Sequence, residues 1–89
     1  MVKKGERIKN GYRLNELGVY IYGRRSVTVD GCAPIRDYTF ERVIFDTGKK
    51  QLFLIISGKN LTVRLAGENV SEVRGLIRCV KYSEDLSDV

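Results

Sequence analysis

In the stretch YGRRSVTVDG, Tyr22 to Gly31, two arginines stand side by side between a glycine and a short alternating run. Adjacent guanidiniums can clamp a phosphate through forked N–H donors, or grip carboxylates on another protein while their stems pack. They can also do no more than guard the mouth of a strand against unwanted edge pairing. Arg24 and Arg25 are therefore the first candidates for a partner surface, and Arg36 in CAPIRD is the third. Tyr20, Tyr22 and Tyr38 widen the choice. Facing outward beside the arginines, they could stack on nucleic-acid bases as on an OB-type surface. The packing habit of tyrosine favours a different arrangement, with rings over a small core and hydroxyls in water.

No other group of residues reaches even that level. The chain has no histidine, which removes the commonest general base and every Ser-His or Cys-His dyad. Cys32 and Cys79 stand far apart, outside any CxxC. Two thiols alone make a poor zinc site, and in a reducing compartment they are expected free. DTGKK carries Lys50 where a phosphate-binding loop needs Ser or Thr, and a strand-like run follows it instead of a helix. GRRS is not followed by the aromatic-bearing strand of the usual RNA-binding form. Asp37 and Glu41 flank an aromatic turn, while Asp30 and Asp46 end strand-like runs. Sugar hydrolysis needs two carboxylates across a cleft, and 89 residues leave little room for one. The expectation is a non-enzyme without catalytic residues, cofactor or metal.

The elements that would position these residues are short. A chain of 89 residues, 43% hydrophobic and 30% charged, is one small folded domain with a modest core. LFLII, Leu52 to Ile56, is too short to cross a bilayer. The basic start lacks the apolar segment of a signal peptide, so a cytoplasmic location is expected. The net charge of +5 is unevenly spread. Lys3, Lys4, Arg7, Lys9 and Arg13 face only Glu6 at one end, and Glu84, Asp85 and Asp88 close the other. The expected organisation is a basic flexible segment 1–13, a β domain 14–82 and an acidic flexible tail 83–89.

Between the ends, runs of period two alternate with Gly, Asn and Asp. SVTVD puts Val27 and Val29 on one face, and RVIFDT puts Val43 and Phe45 together with Ile44 opposite. QLFLIIS is apolar on both faces, as a covered central strand should be. NLTVRL predicts Leu61, Val63 and Leu65 inward; LIRCVKY predicts Leu76, Val80 and Tyr82 on one side, Ile77 and Cys79 on the other. DTGKK and SGKN read as hairpin connections, and AGEN and Gly75 as turns or bulges. AGENVSEVRG is the nearest approach to a helix, at most one turn. Pro34 suits a strand start or an edge. The prediction is all-β: seven or eight short strands in an antiparallel meander rolled into a sandwich or barrel-like sheet.

The ordered set of these features resembles the YabP/YqfC family of endospore-forming bacteria, and the YabP branch more closely. It comprises GRR before an alternating strand and DG, the aromatic turn YTFERV, a strand ending in TG, an apolar strand leading to SGKNL, and V-x-G-x-I before Val80 to Tyr82. The resemblance spans Gly23 to Tyr82 and leaves out both charged ends. Lys50 and Gln51 stand where the family pattern runs from glycine into the apolar strand, and Cys32 takes a usually apolar position. The resemblance implies a non-enzymatic sporulation protein acting in the mother cell, at or near the forespore surface, in spore-envelope or coat formation. Its implied partners are other sporulation or coat proteins, and it supplies no catalytic residues. A small OB- or SH3-like nucleic-acid binder is the alternative, resting on the net charge, the basic head and the tyrosines. Membrane-surface association of the head is weaker, for want of large apolar residues there.

Overall fold

The computed structural model describes residues 11–14, 17–31, 33–49 and 52–84. Seven antiparallel strands form one sheet, with no helix among the described residues. They are β1 (Gly11–Leu14), β2 (Leu17–Tyr22), β3 (Ser26–Asp30), β4 (Ile35–Tyr38), β5 (Arg42–Asp46), β6 (Phe53–Gly67) and β7 (Val70–Ser83). The spatial order is β1-β2-β3-β7-β6-β5-β4. Two meanders, β1-β2-β3 and β4-β5-β6-β7, are thus joined by one crossover from β3 to β4 and zipped together where β3 pairs with β7. The charged ends beyond Gly11 and Glu84 lie outside the described residues.

Two strands are long, not short. β6 has 15 residues and β7 has 14, and each serves both halves of the sheet. The first part of β6, Phe53 to Ser57, pairs with β5 on one side and the end of β7 on the other. Its second part pairs with the start of β7, which in turn pairs with β3. A flat single sheet would be only about 10 Å thick, the spacing of one packed layer, whereas the molecule measures 28 × 27 × 23 Å. The sheet is therefore folded over on itself.

The fold line lies where SGKN was expected to reverse the chain. The register shifts between Ser57 and Gly58 and again between Lys59 and Thr62. Asn60 takes φ 54° there, a left-handed conformation that asparagine tolerates better than most residues. Opposite it, Gly75 has φ 139°, and a Cβ on it would sit 2.7 Å from the Asn60 carbonyl oxygen. A Cβ on Gly58 would overlap the Leu76 carbonyl oxygen. Two backbones touch at this point, and only glycine leaves the space. SGKN is thus a bend inside a continuous strand. The chain reverses later, at Glu68 and Asn69, and AGENVSEVRG is that turn followed by strand.

The two halves close over one core: Val19, Val27, Val29 and Val73 from one, Val43, Phe45, Leu54, Ile56, Val80 and Tyr82 from the other, with Leu61 and Ile77 at the bend. Leu54, Ile55 and Ile56 are all fully buried, as a run apolar on both faces requires. Three side-chain assignments differ. Leu65 and Leu76 are exposed, while Ile77 shares the core with Val80. For Leu76 and Ile77 the cause is a bulge: Ser57 pairs with Cys79 but Gly58 with Ile77, so Arg78 is an extra residue that reverses the alternation on either side.

Leu54→Ala is expected to cost about 2–5 kcal/mol, the range for truncating a fully buried leucine. Gly58→Ala should cost at least as much as typical overpacking, about 1–3 kcal/mol, because the obstacle is backbone. Urea denaturation of both variants checks this. A cost below about 0.5 kcal/mol for either, the range of neutral surface changes, would contradict the fold line or the buried strand.

Candidate functional site

Arg24 and Arg25 fall in the tight turn joining β2 to β3. Tyr22 pairs with Ser26, so Gly23, Arg24 and Arg25 form the whole loop. Gly23 supplies φ 61° at no steric cost, and the Arg25 N–H donates to the Tyr22 carbonyl at 3.3 Å. The outward carbonyls are also used. The Ile77 N–H donates to the Arg24 carbonyl at 2.8 Å, and the Gly75 N–H to the Arg25 carbonyl at 3.1 Å. The turn is thereby tied to the bend in β7. Its two guanidiniums are exposed, and neither makes an ion pair among the described residues. A fixed backbone carrying two unpaired cations loses less freedom on binding than a loose loop would.

Beside the turn is a cleft of about 200 Å³ lined by Ile21, Arg24, Arg78 and Cys79 among others. Cys79 is a free, half-buried thiol; Cys32 lies outside the described residues. On the outer face of the same half-sheet stand Tyr20 and Tyr22, the latter 58% exposed. Val19 and Ile21 alternate with them and point to the core. The tyrosines therefore do not cover the core, as their packing habit had suggested; Tyr82 does that. The Tyr20 ring lies across Gly18, where a Cβ would come within 2.8 Å of it. Tyr38 is elsewhere, on β4, with its hydroxyl donating to the Leu61 carbonyl at 3.0 Å.

Along the pairing row of Tyr20 and Thr28 come Glu72 and Arg64. Arg64 Nε lies 2.6 Å and Arg74 Nε 3.3 Å from the same Glu72 oxygen. Two arginines share one carboxylate, and the excess is positive. Nothing in the sequence marks this group, although VSEVRG places Glu72 and Arg74 at alternating positions and NLTVRL holds Arg64. The missing information was the pairing of the two segments.

Arg36 is not part of this surface. It sits on edge strand β4 with its guanidinium carbon 5.3 Å from the centre of the Phe53 ring, and Phe53 pairs with Ser83, the last residue of β7. The carboxylates of the neighbourhood hold turns. Asp37 accepts from Arg42 at 3.0 Å, and Asp46 accepts from the Gly48 N–H at 2.9 Å. Comparison with protein families, with curated proteins and with solved structures finds no match.

Charge reversal at Arg24 and Arg25 should shift the melting temperature by less than about 3 °C, since exposed, unpaired charges carry little stability. Arg36→Ala should cost about 0.5–1 kcal/mol, the value of an exposed cation–π contact. A calorimetric scan of each variant reads both effects. A large loss in the first would mean that the arginine side chains hold the turn.

Proposed function

We propose that this protein is a non-enzymatic assembly module of the sporulation programme, working in the mother cell through protein contacts in spore-envelope or coat formation. The reading rests on the ordered strand and turn motifs from Gly23 to Tyr82 that resemble the YabP/YqfC family. The observation that carries the site is the β2–β3 turn. Its backbone is fixed by two hydrogen bonds from β7, and its two arginines have no acid to neutralise them among the described residues. Arginine in such a setting suits a protein interface, because its planar fork pairs with carboxylates and its stem packs.

The outward tyrosines favour a second reading. Tyr20 and Tyr22 share a face with Arg64 and Arg74, and a sheet face of aromatic and basic side chains suits single-stranded nucleic acid. The two readings part on salt. Nucleic-acid binding weakens steeply as salt rises but must persist at physiological ionic strength to matter.

The deciding experiment is affinity capture from sporulating cells with the wild-type chain and the R24E/R25E double variant. The assembly reading expects captured envelope or coat proteins to be lost with the double variant while folding persists. Unchanged capture would move the surface off this turn, and oligonucleotide binding that persists at physiological salt would favour the second reading.

A further inference from the structure

The β2–β3 turn is not the only surface prepared for a partner, and the second one goes beyond that reading. β5 pairs with β6 only from Phe53 to Ser57, and past the bend β6 has β7 on one side and, among the described residues, no strand on the other. Successive residues of a strand point their backbone groups to opposite sides. Leu61 points away from β7: its N–H donates to the Phe40 carbonyl at 2.7 Å and its carbonyl accepts from the Tyr38 hydroxyl at 3.0 Å. Pairing with β7 is unbroken from Thr62 to Leu65. Val63 and Leu65 therefore present their N–H and C=O groups in the same outward direction as Leu61. No strand among the described residues meets them.

The side chains around this bare edge are as telling as its backbone. Leu65 is 81% exposed and Phe40 71%. A hollow of about 400 Å³ lies beside Leu65, walled by Ala33, Pro34 and Ser71 among others. At the other end Tyr38, Thr39 and Phe40 form a hollow of about 330 Å³. On the opposite face Arg64 and Arg74 share the single carboxylate of Glu72.

We propose that the β6 edge at Val63–Leu65 takes up an extended segment of a partner protein as an added strand. Apolar residues of that segment face Val63 and Leu65, and an acidic residue lies opposite Arg64. Main-chain hydrogen bonds then supply affinity and the hollows read alternate side chains. An acid opposite a cation is the favoured cross-strand pair. A second copy of this chain fits poorly in the two registers that use Val63 and Arg64 as the centre. Antiparallel self-pairing centred on Arg64 sets two arginines face to face, and pairing centred on Val63 brings Leu65 against Leu61, whose backbone groups are already taken.

The test uses the full chain and a fluorescent peptide of alternating valine and glutamate, followed by polarisation. A valine–lysine peptide and two valine–glutamate peptides, N-methylated at one or the other alternate set of residues, are the controls. The acidic peptide should bind about tenfold or more tighter than the basic one, and Leu65→Lys should weaken it about tenfold. N-methylation of one alternate set should abolish binding and of the other spare it. The R24E/R25E variant should bind the peptide unchanged, which separates this proposal from the reading of the turn. Leu65→Lys should keep the wild-type circular dichroism, since the side chain is exposed. Absence of saturation up to about 1 mM, indifference to which set is methylated, or a dimer in sedimentation that Leu65→Lys dissolves would each overturn it.

Discussion

Everything in this chain depends on the close passage of β6 past β7 at Gly58 and Gly75. The two strands pair on both sides of the bend, with the register shifted across it, so the sheet folds without separating. Hydrophobic burial drives the closure, because each half alone would leave its inner valines and leucines half covered. Burial cannot be completed unless two backbones approach at the fold line, and there any Cβ would collide with a carbonyl oxygen. Two glycines and one left-handed asparagine thus permit a core that the rest of the sequence demands.

The same bend organises the surface. The N–H groups of Gly75 and Ile77 that the bend turns outward are accepted by the Arg25 and Arg24 carbonyls, so the arginine turn is fixed by the fold line. On the far side, the bend carries β6 away from β5, which leaves Val63 and Leu65 on an open edge. A fixed cationic turn and a strand edge that no described strand meets are two consequences of one constraint. Both are what the proposed role in protein contacts calls for.

Much of this was legible in the residues. The alternation in SVTVD and RVIFD named the inward side chains, and the two-sided apolar run LFLII named the fully buried stretch Leu54 to Ile56. What could not be read was how segments meet. SGKN has every mark of a hairpin, because glycine and asparagine with positive φ serve a bend as well as a reversal. Arg78 as a bulge residue is invisible until Cys79 and Ile77 are seen to pair with neighbours, and it is what turned Leu76 outward. The Arg24–Arg25 pair stands out by composition alone, but not its place in a turn. The Arg64–Glu72–Arg74 group does not stand out, since its members come from two strands whose register only the fold defines.

Residue-resolved amide hydrogen exchange tests whether one bend both fixes the turn and frees the edge. The amides of Gly75, Ile77 and Leu61 should be protected, because each donates to a backbone carbonyl. The amides of Val63 and Leu65 should exchange rapidly in the same molecule. Rapid exchange at Gly75 and Ile77, or protection at Val63 and Leu65 in the isolated chain, would contradict that dual role.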